Sequence, residues 1–193
     1  MASPSPPTLK TKAGTPAIGP SSISTPHLLL TQTSQTYLPQ IFAGFTPAIT
    51  TYMASRPVTN PSEVSSIIDR SLQQWETSNG FTYVILLPSS PENEFLGICS
   101  IHARPEGDAD LGIWVKESAH GNGYGREAVG ALRDWAKREL DVGAVVYPVD
   151  RRNGPSCRLA EALGGVCVEG EMRLRPREGR EDLELIVYRI PLA

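Results

Sequence analysis

Residues 120 to 125 read His-Gly-Asn-Gly-Tyr-Gly. They stand between an apolar run, Leu111 to Val115, and an amphipathic stretch, Arg126 to Leu140. Glycines at alternate positions there can turn successive backbone N–H groups toward one anion, which is a way to hold a pyrophosphate. Downstream, Ala128, Ala131, Leu132, Trp135 and Ala136 share one face, opposite Glu127, Gly130, Arg133, Asp134, Lys137 and Arg138. That periodicity predicts a helix whose positive end meets the loop. With 17 glycines in the chain, an ordinary turn could read the same way; the position between strand and helix favours a ligand loop. A P-loop would end in Gly-Lys-Ser or Gly-Lys-Thr, whereas Gly125 is followed by Arg126 and Glu127. A dinucleotide fold would place the loop in its first βαβ unit, with an acid ending a strand about 20 residues on; Asp141 precedes a strand instead.

Further segments stand in fixed order around this loop: Thr25-Pro-His-Leu-Leu-Leu30, Asp110-Leu-Gly-Ile-Trp-Val115, Gly123-Tyr-Gly-Arg-Glu-Ala128, Asn153-Gly-Pro-Ser156 and Leu159-Ala-Glu-Ala-Leu-Gly-Gly165. Together they resemble the GNAT acetyltransferases, and among them the RimJ/RimL-type branch, from about Thr25 to Ile190. Thr46 to Met53 is similar to that branch's loop between the first helices. In the family's motif A an Arg or Gln, two residues, Gly, one residue and Gly or Ala bind the pyrophosphate of acetyl-CoA; His120, Gly123 and Gly125 take those places here.

The resemblance implies an α/β (α+β) fold: a mixed, mostly antiparallel twisted sheet of about seven strands flanked by about four helices. Its central parallel strands, Asp110 to Val115 and Ala144 to Val149, would splay apart to admit the pantothenate arm. The backbone of Trp114 and Val115 would bond that arm, and His120, Gly121, Asn122, Gly123, Tyr124, Gly125 and Arg126 would surround the diphosphate. Acetyl-CoA is the implied cosubstrate, and no metal is called for.

Acetyl transfer to an amine needs a base, because a free amine with a pKa near 10 is almost wholly protonated at neutral pH. The oxyanion needs an N–H donor, and the departing thiolate gains from a proton. By its place in the family's Asn-x-x-Ser, Ser156 would hydrogen-bond and protonate the sulfur; a serine in a first helical turn also commonly bonds backbone. Asn153 would bond the pantetheine chain or cap the helix, two jobs that need different directions of one amide. Asp110 matches the acidic residue that opens the family's central strand and is the base candidate, directly or through water. The plain alternative is a turn aspartate.

Glu94 and His102 are weaker candidates for the base. His120 carries little charge where the family has Arg, and Arg126 could offset this by facing a phosphate or could simply be solvated. The rings of Trp114 and Tyr124 read as packing groups. Cys157 has no neighbouring histidine in sequence, and direct transfer needs no covalent intermediate. The last hairpin interleaves Arg173, Arg175, Arg177 and Arg180 with acids. That pattern suits a solvated turn or, by family position, an arginine that meets a substrate carboxylate.

These groups must be positioned by a scaffold that periodicity and punctuation outline. His27 to Thr31 reads as a strand, Gln35 to Ala43 as a short helix, and Pro61 to Ser78 as a longer helix opened by Asn60. Strands near Phe81 to Leu87, Glu94 to His102 and Asp110 to Val115 form an antiparallel meander. The glycine-loop helix and the strand Ala144 to Val149 follow as a right-handed crossover. A helix from Pro155 to Leu163 and two strands, Val166 to Leu174 and Asp182 to Ile190, complete the chain.

At 193 residues, 40% hydrophobic, with net charge −3, the chain suits one globular domain over residues 25–193 and gives no reason to expect nucleic acid as partner. Cys99, Cys157 and Cys167 form no Cys-x-x-Cys pair, which points to a reducing, cytoplasmic home. No apolar run suggests a membrane span. Residues 1–24, rich in Pro, Ser and Thr, are expected to be a disordered tail. They lack the apolar centre of a secretory signal, and their prolines oppose a mitochondrial amphipathic helix. Three functions fit: an acetyl-CoA-dependent N-acetyltransferase acting on a small amine or a protein N-terminus, as monomer or homodimer; a non-catalytic acyl-CoA-binding sensor; and an ATP-binding protein using the same loop.

Overall fold

The computed structural model describes residues 6–90, 92–168 and 173–192. Its strands are β1 (Ser22–Ser24), β2 (Leu29–Gln32), β3 (Gly80–Leu87), β4 (Glu94–Ala103), β5 (Ala109–Val115), β6 (Ala144–Asp150), β7 (Val166–Cys167), β8 (Arg173–Arg175) and β9 (Leu183–Pro191). The α-helices among the described residues are α1 (Leu38–Gly44), α2 (Pro61–Glu76), α3 (Tyr124–Glu139) and α4 (Gly154–Ala162). Asn60 accepts the Glu63 N–H at 3.2 Å and Pro61 opens α2, an N-cap with proline at the first helical position.

One sheet runs in the order β1-β2-β3-β4-β5-β6-β9-β7, with β8 also on β9. All its pairings are antiparallel except β5–β6, which α3 joins as a crossover. Both faces are covered, which is why β3 is buried almost throughout. On one face Ala128, Leu132 and Trp135 of α3 pack on Phe81, Tyr83 and Leu111. On the other, Ile41 and Phe45 with Val64 and Ile68 of α2 pack on Val84, Leu86 and Trp114. The period of 2 along the strands sorts side chains between these cores.

The parallel pair is short. It registers at Ala109–Val145 and Asp110–Val146 and then stops, although β5 continues to Val115 and β6 to Asp150. Beyond that point the strands part, as the family resemblance implied.

The segment expected to be a disordered tail is packed from about Pro7 onward. Leu9 and Ala17 are buried, and Leu9 N–H donates to Ser78 O at 2.7 Å. Ser78 Oγ donates to Ala17 O at 2.7 Å, Asn79 Nδ2 donates to Pro7 O at 2.6 Å, and β1 extends the sheet. Two small apolar contacts and these bonds offset an ordering entropy that the prolines had already reduced. The strand expected over Val166 to Leu174 is divided into β7 and β8, with part of it outside the described residues. No helix among the described residues is long and apolar enough to cross a membrane.

Candidate active site

The glycine loop lies at the carboxyl end of β5 and opens α3. Gly121 and Gly123 have φ of +81° and +79°, a region that residues with a Cβ enter only with strain. Open space lies where their side chains would be, so it is conformation rather than crowding that calls for glycine. This path leaves the N–H groups of Gly121, Asn122, Gly123, Tyr124, Gly125 and Arg126 without an acceptor among the described residues; the first paired amide is Glu127, which donates to Gly123 O at 3.1 Å. Asn122 turns its side chain inward, Nδ2 lying 3.2 Å from both Ala119 O and His120 O, and so stiffens the turn. No side chain caps α3. Such a run of unpaired donors at a helix N-terminus is an anion cradle.

His120 is exposed, but its ring folds back onto the end of β5. Its Nε2 lies 2.6 Å from Val115 O, and since a carbonyl only accepts, Nε2 carries the proton. Arg126 and Arg133 border a cleft of about 730 Å³ beside the loop, together with Thr25, His27 and Gly123. Glu127 anchors the opposite wall: Thr25 Oγ1 donates to it at 2.5 Å and His27 N–H at 2.8 Å, while His27 Nδ1 lies 3.0 Å away. Although burial raises the Glu127 pKa, these donors together hold it below the usual carboxylate value.

The gap between β5 and β6 opens after Asp110 and runs toward the loop at the carboxyl end of β5. Lys116 N–H donates to Leu96 O at 2.8 Å, so strand alternation turns the backbone of Trp114 toward β4 and that of Ile113 and Val115 toward the gap. Of the pair expected to bond the pantothenate arm, only Val115 turns its backbone to the gap; Ile113, which spacing alone did not single out, does the same. The Trp114 ring meets Phe45 at 5.5 Å and Phe95 at 5.8 Å, as a packing group.

Ser156 lies in the first turn of α4. Asn153 Oδ1 accepts its N–H at 3.3 Å, so the Asn153 amide serves as cap and leaves only its Nδ2 for a ligand. Tyr147 Oη donates to Ser156 Oγ at 3.4 Å, and burial pushes the Tyr147 phenol pKa up, keeping it a neutral donor. Tyr147 was not anticipated from sequence. Cys157 follows Ser156, half-buried and with a free thiol.

Asp110 stands on the opposite face, at the last rung before the gap opens. Its Oδ1 accepts from Arg104 Nη1 at 2.7 Å. Across the β4–β5 pair stands His102, whose pKa burial lowers while Asp110 pulls it back up, so its imidazole is neutral at pH 7. Ser156 and Asp110 thus flank the parting strands from opposite faces. Glu94 pairs with Lys116 at the far end of β4.

The α1–α2 loop is tied to the β8–β9 turn. Arg177 Nη1 donates to Thr51 O at 2.8 Å and Met53 O at 3.2 Å. Arg180 donates to Thr50 O at 3.2 Å, Ala54 O at 3.3 Å and Ser55 O at 3.0 Å. These arginines, read earlier as a solvated turn or a carboxylate contact, hold backbone instead. Arg175 is exposed, and the side chain of Arg173 lies outside the described residues.

Residues 27–166 match the Acetyltransferase (GNAT) domain family. This chain belongs to the GNAT acetyltransferase family. Its domain is that of an acetyl-CoA-dependent N-acetyltransferase. An uncharacterized N-acetyltransferase p20 of Bacillus licheniformis is 27% identical over 123 residues, a match spanning 61% of this chain and 66% of that relative. A RimL ribosomal L7/L12 alpha-N-protein acetyltransferase in complex with coenzyme A superposes with a TM-score of 0.78 at 20% identity, covering 88% of this chain and 97% of that one. An acetyltransferase of Agrobacterium tumefaciens superposes with a TM-score of 0.69 at 27% identity, covering 90% and 95%. Among the described residues no cluster of three metal-ligating side chains occurs.

Proposed function

We propose that the protein moves the acetyl group of acetyl-CoA to a primary amine, on a short protein N-terminus or a small molecule, by direct attack on the thioester. One observation carries this reading: the unpaired amides from Gly121 to Arg126 open onto parted strands. In this reading the amides and Arg126 hold the diphosphate, and the backbone of Ile113 and Val115 holds the pantetheine arm. Asn153 Nδ2 reaches its outer part. The thioester then lies between Asp110 and Ser156.

Asp110 takes a proton from the incoming ammonium, through a water where its shorter side chain falls short. The free amine attacks the acetyl carbon, the C–N bond forms and the C–S bond breaks. Ser156 gives its hydroxyl proton to the leaving sulfur, and the second proton that the amine nitrogen sheds as it becomes an amide passes through water to restore the hydroxyl. Placing both substrates side by side supplies much of the acceleration. The free cysteines support a cytoplasmic setting, and the names of the RimL neighbours support the N-terminal acceptor.

The test is a mass-spectrometric screen of N-terminal peptides and small amines with acetyl-CoA, beside calorimetry with CoA and ATP. Acetylated product is expected, lost in Ser156→Ala with CoA binding kept. CoA binding without any product across the panel would make the protein a sensor, and preference for ATP would end the reading.

A further inference from the structure

The β5–β6 ladder has a definite last bond. Alternation fixes which backbone groups face one another. Lys116 N–H points to β4, so Ala109, Leu111, Ile113 and Val115 point to β6. Arg151 N–H donates to Glu184 O of the β9 side at 3.0 Å, so Ala144, Val146, Pro148 and Asp150 point to β5. With the rungs at Ala109–Val145 and Asp110–Val146, the parallel pattern runs Ala109 O to Val146 N–H and Val146 O to Leu111 N–H. The next bond would join Leu111 O to the N–H of residue 148. That residue is proline and has no N–H.

We infer that Pro148 holds the cofactor slot open, because its missing N–H ends the β5–β6 ladder at Leu111 and leaves the backbone of Ile113 and Val115 free for a ligand. A proline inside a sheet is expected only where no ladder donor is needed. Here it lies in the middle of β6, paired with Val187 on its β9 side, where its missing donor is not called on. Any other residue at this position would offer β5 a strand partner in competition with the pantetheine amides. Pro148 is thus a positioning residue, acting through the backbone of β5. That the ligand is CoA rests on the function proposed above; that the ladder stops at Pro148 does not.

Pro148→Val and Pro148→Ala test it, on the full chain. Hydrogen exchange of the unliganded variants should show the new amide at position 148 protected, and the melting temperature should rise or hold. Calorimetric CoA affinity should fall about tenfold, the opposite direction to stability. A merely structural proline would lower both together. A new amide exchanging as fast as an unpaired one, or affinity within about twofold of wild type in both variants, would overturn the inference. Should wild type itself fail to bind CoA, the proposed function falls while the exchange result still decides the role of Pro148.

Discussion

The imidazole Nε2 of His120 sits 2.6 Å from the carbonyl oxygen of Val115, closing the end of β5 onto the loop that follows it. The side chain at the family's Arg or Gln position therefore shapes the loop, and in the proposed function the diphosphate is left to the backbone amides. His120→Ala would leave a half-buried carbonyl unpaired, at a cost of about 1–2 kcal/mol. Denaturant unfolding should register that loss, and CoA affinity should fall several-fold as the loop loosens.

Gly123→Ala should weaken CoA binding by about tenfold and cost about 1 kcal/mol of stability, since a Cβ at φ +79° is strained even in open space. Gly123→Asn, which tolerates that conformation better, should recover much of both. Equal losses for the two, by calorimetry, would show that bulk rather than backbone geometry matters there.

Tyr147 and Ser156 should behave as a pair. With Tyr147 Oη donating, the Ser156 hydroxyl proton is left free for another acceptor, which in the proposed function is the sulfur. Ser156→Ala should lower kcat by about a hundredfold and Tyr147→Phe by about fivefold, each with CoA affinity unchanged. In the Ser156→Ala background, Tyr147→Phe should do nothing more. An additive double variant would mean that the phenol works elsewhere.

Asp150, buried at the end of β6, accepts two bonds from the Arg152 guanidinium and one from Glu184 N–H. The Arg152 bonds hold its pKa down from 3.8 to about 2. A depressed carboxylate pKa stabilises the fold fully above the unfolded value and loses that contribution as pH falls through the folded one. The shift corresponds to about 2 kcal/mol. Asp150→Asn should be less stable than wild type at pH 7, with the difference shrinking between about pH 4 and pH 2 in thermal melts.

Arg177→Ala with Arg180→Ala should free the carbonyls of residues 50–55. Faster amide exchange in that loop and a rise of about tenfold in KM for the amine, with CoA affinity kept, are expected. A matching loss of CoA affinity would mean that the turn supports the whole site rather than its acceptor side.

The spacing from Asp110 to Gly165 made the crossover, the loop and the α4 cap legible, because each is a local rule of periodicity, glycine or capping. Leu9 and Ala17 were not legible. Each is a single apolar residue among prolines, and Ser78, which bonds to both, lies far along the chain. The roles of Arg177 and Arg180 were hidden because a guanidinium holding carbonyls looks, in sequence, like any charged turn. Which of Trp114 and Ile113 faces the gap depends on the pairing of the neighbouring strand, and hydropathy does not carry that parity.

The seating of Leu9 and Ala17 bears on how the protein can be handled. Trimming the chain back to its first strand would strip a lid from greasy side chains near the far end of α3, inviting clumping during purification. An affinity tag placed before Pro7 and left uncleaved is the gentler choice, and protease digestion should spare the stretch that its composition would mark for attack.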